Sequence, residues 1–253
     1  NYFMKKNIIV SGDSFTAHLV EPNIAWPQHL DPKHNVINCS EMASGNALIS
    51  RNTIHKILTT KNVDAVIIGW SDPNRFELFF NEEENLDYAK IKNHFKDRGG
   101  LTNQIITNEW HPGQSSSWLK SGGNYGGWDF ESEQVNKLIN NYFEKHHNKE
   151  FQYVQTIESI LRVQWLCKLK NIKLLNFKAF GHDLFDVSYE NAKHLITDID
   201  WNTWWKPEPK TLFKGLREWC IDKGYKDFPG SHPVTEAQRQ FADEVISPWI
   251  DND

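Results

Sequence analysis

The sequence is poor in cysteine and has no long apolar run. Its 253 residues contain three widely spaced cysteines, Cys39, Cys167 and Cys220. This odd number argues against a disulfide framework and favours buried thiols in a reducing compartment. No apolar run approaches the roughly 20 residues of a transmembrane helix, and the stretch from Ile8 to Val10 is too short for a secretory signal. We therefore expect a cytoplasmic protein without a membrane span.

Common metal-site motifs and a basic excess are absent as well. The sequence has neither a CxxC nor an HExxH motif, and the adjacent pair His146-His147 lacks the spacing of two ligands on one helix face. We expect no metal and no cofactor. The 28 basic residues are outnumbered by 33 acidic residues, which gives a net charge of −5. Because nucleic-acid-binding proteins usually carry a basic excess, we expect no nucleic-acid partner.

Tryptophan, in contrast, is abundant, with 11 residues against 7 tyrosines. Several of these tryptophans fall in two segments that read as loops, residues 110–128 and 201–205. Their concentration fits either a platform on which the flat face of a sugar ring stacks or a small apolar cluster that holds long loops in place. Stacking on single-stranded nucleic acid is disfavoured because no basic groove accompanies the aromatic residues.

Strand and helix patterns alternate along the chain. Short apolar runs predict buried strands at residues 7–10, 35–39, 64–70 and 172–177, and helical patterns occur at about 14–19, 46–58, 153–170, 212–223 and 235–249. Continuous apolar runs are typical of parallel strands that are buried on both faces. The alternation therefore predicts an α/β fold with a doubly wound parallel sheet.

A segment at about residues 79–150 interrupts this alternation. It is polar, carries the acidic run 82–84, and is rich in glycine, serine and tryptophan between 110 and 128. So many turn-forming residues predict a long irregular segment. We expect it to be an insertion over one face of the core of a single domain that spans residues 1–253.

A serine follows the first predicted strand, in the sequence Gly12-Asp13-Ser14-Phe15. Open α/β sheets place their active sites at the carboxyl ends of their strands. A serine there can lie at a helix N-terminus, where free N–H groups favour developing negative charge, as at the nucleophile of a hydrolase. The local sequence fits equally well a serine that only caps a helix.

Two further residues fit a hydrolase site. Gly45 lies in the turn after the second strand, where the absence of a side chain allows a backbone N–H to approach an oxyanion. His232, in Ser231-His232-Pro233, directly precedes the last predicted helix and can reach a serine on the opposite turn. Taken alone, His232 fits an ordinary loop histidine.

Together these segments resemble the motifs of the SGNH, or GDSL-like, hydrolase family. Gly12-Asp13-Ser14-Phe15 resembles the nucleophile motif, residues 38–46 resemble the glycine motif, and His232-Pro233 resembles the histidine motif. Trp26-Pro27 also looks like a segment that these proteins carry after the first helix. The resemblance implies a flavodoxin-like, three-layer α/β/α fold around a central parallel sheet, with the polar Trp/Gly-rich segment as an insertion.

The resemblance also implies a serine esterase that works through an acyl-enzyme. Ser14 would be the nucleophile, and His232 would act as general base and then as general acid. The backbone N–H groups of Ser14 and Gly45 would bind the oxyanion. An imidazole with a pKa of about 6.5 can take the proton of a serine hydroxyl and return it to the leaving group.

The sequence departs from the family pattern at two positions. Ser71 stands where the family has an asparagine that donates to the oxyanion, so we expect this donor to be Ser71, Asn74 or Arg75. The position of the triad carboxylate, three residues before the histidine, holds a proline. Asp227 would orient His232 if the intervening turn brings it round; otherwise a backbone carbonyl would hold the imidazole.

The expected substrate is an ester of a small molecule or a glycan, with the O-acetyl groups of a carbohydrate as the leading candidate. Trp70, Arg75, Trp118 and Trp204 are expected to contact it. Two alternatives stay open on the same fold: a catalytically weak or inactive carbohydrate-binding or structural protein, and a sugar O-acyltransferase that uses the same serine. The sequence leaves the oligomeric state open.

Overall fold

The structure, a computed structural model, describes most of the two ends of the chain and small parts of its middle. The described residues are 5–17, 21–30, 34–42, 44–81, 105–107, 116–121, 137, 141, 145–180, 184–185, 188–206, 214–226, 228–229 and 232–252. Within 76–81, 105–107 and 116–121 only the backbone is described.

A parallel sheet of four strands lies at the centre of the protein. The described strands are β1 (Asn7–Gly12), β2 (Asn35–Asn38), β3 (Ala65–Trp70), β4 (Phe76–Asn81), β5 (Ile105–Thr107), β6 (Ser116–Ser121) and β7 (Lys173–Lys178). The central sheet has the order β2-β1-β3-β7, and all of its pairs are parallel. In β1, Ile9 pairs with Ile37 of β2 on one side and with Val66 of β3 on the other. The predicted parallel sheet is confirmed.

Helices flank the central sheet, all at predicted positions except α4. They are α1 (Ser14–Ala17), α2 (Asn46–Thr59), α3 (Lys149–Leu169), α4 (Glu190–Ile196), α5 (Leu216–Asp222), α6 (Thr235–Phe241) and α7 (Ser247–Asp251). A π-helical segment, Ala242–Ile246, joins α6 to α7 without a break, so the predicted closing helix is present. In the described part of the chain, no helix has the length and apolar character needed to cross a membrane.

The central sheet buries both of its faces. Successive side chains of a strand point to opposite faces, and the strand residues accordingly divide between two apolar clusters. Ile8 and Val10 of β1 pack with residues of α5, α6 and the closing helix on one face. Ile9 of β1 packs with residues of α2, α3 and α4 on the other face. This arrangement is an α/β fold compatible with three α/β/α layers.

Part of the predicted insertion forms a second sheet. Strands β4, β6 and β5 pair antiparallel, in that order. This corrects the expectation of a wholly irregular segment, because residues 105–107 and 116–121 are strands. The missed signal is the aromatic and β-branched character of residues 76–80 and 105–107, which favours strands and which the many turn residues nearby obscured.

Candidate active site

Ser14 lies where the sequence predicted it, just beyond the carboxyl end of β1, as the first residue of α1. Asp13 organises this turn. Its carbonyl oxygen accepts hydrogen bonds from the N–H groups of Thr16 and Ala17, both at 2.9 Å. Its side-chain Oδ1 accepts one from the N–H of Phe15 at 3.0 Å. Ser14 is therefore held on a tight turn, and 6% of its surface is exposed.

The turn also depends on the glycine that ends β1. A Cβ atom on Gly12 would lie 2.4 Å from Oγ1 of Thr16 and 3.0 Å from the carbonyl oxygen of Gly69 in β3. These distances are shorter than van der Waals contact, so any larger residue would push α1 away from the sheet. Glycine at this position therefore allows the serine turn to pack directly against β1 and β3.

His232 lies beside Ser14, although the two are 218 positions apart in the chain. The Nε2 atom of His232 is 2.6 Å from Oγ of Ser14. The imidazole ring also packs on Phe15, with ring centroids 5.0 Å apart. The two side chains that the sequence proposed as nucleophile and base thus share a hydrogen bond, which is the geometry that proton transfer requires.

The loop that carries His232 is tied to the N-terminal quarter of the chain. The carbonyl oxygen of Pro229 accepts hydrogen bonds from the N–H of His232 and from Nδ2 of Asn23, each at 3.2 Å. Asn23 is buried. The sequence reasoning missed Asn23, because the loop in which it lies carries no periodic pattern that would place it beside the histidine.

Gln238 is a second supporting residue that the sequence reasoning missed. It lies in α6 with 1% of its surface exposed. Its Nε2 donates to the carbonyl oxygen of Phe15 at 3.3 Å, and its Oε1 accepts from the N–H of Trp26 at 3.2 Å. One amide therefore joins the serine turn, the segment 21–30 and the helix that follows His232. The sequence feature that could have identified Gln238 is a polar residue next to Ala237 on the apolar face of a predicted helix.

Two backbone N–H groups are positioned at the start of helices near this site. Ser14 begins α1, and Gly45 precedes the first residue of α2 and is buried. The N–H of Glu41 donates to the carbonyl oxygen of Gly12 at 3.2 Å, which brings the loop before Gly45 alongside the end of β1. Within the described residues, neither the Ser14 nor the Gly45 N–H has a hydrogen-bond acceptor. Free N–H groups at helix starts favour anionic oxygen.

Ser71 has a different role from the predicted one. Its Oγ donates to Oδ2 of Asp13 at 2.9 Å. Because an ionised carboxylate only accepts hydrogen bonds, the hydroxyl hydrogen of Ser71 is committed to Asp13. This corrects the expectation that Ser71 donates to an oxyanion. The same Oδ2 atom accepts from Nη1 of Arg75 at 2.8 Å, so Asp13, which is fully buried, is neutralised by a guanidinium.

The asparagines near the end of β3 are also engaged in structural contacts. Nδ2 of Asn74 donates to Oδ1 of Asp72 at 3.0 Å, within its own turn, so this amide is directed at Asp72 rather than at Ser14. Asn46, the first residue of α2, exchanges two hydrogen bonds with the backbone of Ser71, at 2.8 Å and 3.0 Å. It also donates to Oγ1 of Thr156 in α3.

Two of the tryptophans predicted to contact substrate belong to the core. Trp70 is 1% exposed, and its Nε1 donates to Oδ1 of Asn176 at 2.9 Å. Trp204 is 8% exposed, and its ring packs 5.1 Å from that of Phe185 and 5.9 Å from that of Trp201. Neither indole presents a face to a ligand in this structure. The tryptophans of segment 201–205 hold a loop against β7. This fits the second interpretation of the tryptophan-rich segments, an apolar cluster that holds long loops in place.

The side chains of two predicted site residues are not among those that the structure describes. Asp227 lies outside the described residues, so its predicted role in orienting His232 stays a prediction. Trp118 has only its backbone described, as a residue of β6 that pairs with Phe79 of β4. Among the side chains that are described, no cluster of three or more His, Cys, Asp or Glu residues is placed to hold a metal ion.

No protein-family model matches the chain, and no curated protein matches its sequence.

Proposed function

We propose that this protein is a serine esterase in which Ser14 is the nucleophile and His232 the general base. The observation that carries the proposal is the 2.6 Å contact between Nε2 of His232 and Oγ of Ser14. A serine at the carboxyl edge of a parallel sheet, bonded to an imidazole from the far end of the chain, is the arrangement that activates a weak hydroxyl nucleophile.

The reaction proceeds in two balanced steps. In the first, Oγ of Ser14 bonds to the carbonyl carbon of the ester while its proton moves to Nε2 of His232. The backbone N–H groups of Ser14 and Gly45 hold the oxyanion. His232 then gives the proton to the departing alcohol oxygen, which leaves an acyl-enzyme. In the second step, water attacks the acyl carbon, passes a proton to His232, and the proton returns to Ser14 as the acid departs.

The small exposure of Ser14 favours a small acyl group. Only 6% of this residue is accessible, and the rings of Phe15 and His232 pack beside it. An acetyl group meets these steric limits more readily than a long acyl chain does. Together with the family resemblance, this supports an O-acetyl ester, and we propose a carbohydrate as the alcohol that carries it.

Labelling with a fluorophosphonate tests the proposal directly. We expect the folded protein to be modified at Ser14, and Ser14→Ala to remove both the labelling and the hydrolysis of an aryl acetate. His232→Gln keeps a polar side chain but takes up no proton, so hydrolysis should fall by about 10²–10⁴-fold. The matched control is Thr16→Ala, which removes from the same turn a buried hydroxyl that has no hydrogen-bond partner among the residues that the structure describes. A folded protein that is not labelled at Ser14 would overturn the proposal.

One observation favours a second candidate, a carbohydrate-binding protein without hydrolytic activity. The hydroxyl of Ser71 is committed to Asp13, so the side-chain donor expected for the oxyanion is not supplied by this residue. Loss of one oxyanion donor typically lowers the rate by about 10²–10³-fold. In this case glycan binding would survive Ser14→Ala, and the wild-type protein would hydrolyse no aryl acetate.

A further inference from the structure

The guanidinium of Arg75 is held next to the serine turn with one edge unused. Its side chain is 13% exposed, and Nη1 donates to Oδ2 of Asp13, the residue before Ser14. Nε of Arg75 is buried, and no hydrogen-bond partner for it lies among the described residues. Nη2 likewise donates to no acceptor in the described part of the chain. Arg75 therefore retains two neighbouring N–H donors on the edge away from Asp13.

This edge has the shape of a carboxylate site. The N–H groups on Nε and Nη2 of a guanidinium are nearly parallel and match the two oxygens of a carboxylate. A buried N–H group without an acceptor is unfavourable, and such groups are rare in folded proteins unless a ligand or ordered water completes them. The unused edge of Arg75 is thus explained if an anionic group of the substrate binds there.

The guanidinium is also rigidly placed relative to the catalytic pair. Its central carbon lies 5.2 Å from the ring centroid of Phe180. Phe180 packs on Phe15 at 5.2 Å between ring centroids, and Phe15 packs on His232 at 5.0 Å. Because Asp13 and Phe180 fix the guanidinium from two sides, little side-chain freedom is lost when an anion binds to it.

We propose that the Nε and Nη2 edge of Arg75 binds a carboxylate of the substrate, so that the ester is carried by a sugar acid. This inference rests on the proposed esterase function and names its substrate class. Asp13 already offsets the positive charge of Arg75. The edge therefore favours a singly charged carboxylate over a doubly charged phosphate, because the phosphate would meet stronger repulsion from the Asp13 carboxylate.

Three matched esters test this specificity. They are the methyl glycosides of mono-O-acetylglucuronic acid, mono-O-acetylglucose and mono-O-acetylglucose 6-phosphate, which differ only in the group at C6. We expect the wild-type kcat/KM for the uronic acid ester to exceed that for the glucose ester by at least about tenfold. Arg75→Met should remove this preference, chiefly through a higher KM for the acidic ester. Arg75→Lys keeps the charge beside Asp13 but lacks the two parallel N–H donors of the guanidinium. It should therefore retain only part of the preference.

A binding measurement makes the test independent of turnover. By titration calorimetry, Ser14→Ala should bind methyl glucuronoside more tightly than methyl glucoside, and Ser14→Ala/Arg75→Met should bind the two alike. The control is Ser71→Ala, which removes the other donor to the same Asp13 oxygen while leaving the guanidinium edge intact. This variant should retain the preference for the acidic ester, which separates recognition by Arg75 from a general disturbance of the turn.

The outcomes separate this inference from the proposed function. Equal kcat/KM for the acidic and neutral esters would overturn the role of Arg75 and leave the esterase intact. Preference for the phosphate ester would overturn the carboxylate assignment. If Ser14 is neither labelled nor active, the esterase fails, while tighter binding of glucuronoside to Ser14→Ala would still support the carboxylate site. Equal binding of the two sugars to Ser14→Ala would overturn it.

Discussion

Asp13 is the residue on which the geometry of the serine turn depends most. It is fully buried and accepts hydrogen bonds through both carboxylate oxygens. Oδ1 holds the N–H of Phe15, and Oδ2 holds the hydroxyl of Ser71 and the guanidinium of Arg75. A single side chain thus connects the nucleophile turn to the end of β3.

Replacement of Asp13 by asparagine should therefore destabilise the protein. The new NH₂ group must face either the N–H of Phe15 or the donors of Ser71 and Arg75, and Arg75 loses its counter-charge. We expect the free energy of unfolding in urea to fall by about 3 kcal/mol. The control is Glu158→Gln, which breaks a pair with Arg162 whose side chains are 42% and 57% exposed. This change should stay within about 0.5 kcal/mol, and a similarly small effect of Asp13→Asn would contradict the prediction.

At the scale of elements, helix α3 is connected through α2 to the end of β3, next to the candidate active site. It has 21 residues and packs along α2. Oγ of Ser50 in α2 donates to the carbonyl oxygen of Ser159 in α3 at 3.1 Å, and Asn46 donates to Thr156. Because Asn46 also holds the backbone of Ser71, the position of α3 affects the end of β3, where the residues around Asp13 lie.

The start of α3 provides a test at this scale. Oδ1 of Asn148 accepts a hydrogen bond from the N–H of Phe151 at 3.1 Å, which satisfies one of the unpaired donors of the first turn. We expect Asn148→Ala to lower the free energy of unfolding by about 1 kcal/mol. Asn148→Asp keeps an acceptor at the same place and should remain close to the wild type. Equal losses in both variants, measured by urea unfolding, would show that the side-chain cap contributes nothing.

The elements of the central fold were predictable because their signals are local. Ala65–Trp70 is a continuous apolar run, and such a run indicates a strand buried on both faces whatever lies around it. Residues 105–107 and 116–121 were not predicted as strands, because their strand structure depends on residues that are not local in sequence. A short antiparallel strand depends on its pairing partners as well as on its own composition, and the partners of β6 lie ten or more residues away in sequence.

At the scale of the whole molecule, the start of the closing helix is hydrogen-bonded to the N-terminal quarter of the chain. The N–H of Thr235 donates to the carbonyl oxygen of Pro22 at 2.8 Å, and Oγ1 of Thr235 accepts from the N–H of Ile24 at 3.0 Å. His29 lies in the same contact region, near Arg239 of α6. Burial, together with the positive charge of Arg239, lowers the pKa of His29 below its ordinary value of 6.5. The folded protein therefore favours the neutral form of this imidazole more than the unfolded chain does.

The lowered pKa of His29 predicts a dependence of stability on pH. The unfolded chain protonates His29 as the pH falls through 6.5, whereas the folded protein resists protonation until a lower pH. The contribution of neutral His29 to stability is thus present above pH 6.5 and is lost as the pH falls. We expect His29→Gln to reduce the loss of unfolding free energy between about pH 7 and pH 5. The matched control is His194→Gln, at an exposed position of α4. An unchanged pH dependence in His29→Gln would refute the prediction.

The sequence by itself determined the α/β character, the parallel sheet, and the position of Ser14 at the end of β1 and of His232 before the last helix. These features follow from hydrophobic periodicity and turn residues, which act over a few residues of chain. Only the tertiary structure decided that His232 contacts Ser14, that Ser71 donates to Asp13, and that Trp70 lies in the core. Such contacts join residues far apart in sequence, and their partners are selected by packing and by the need of buried polar groups for hydrogen bonds.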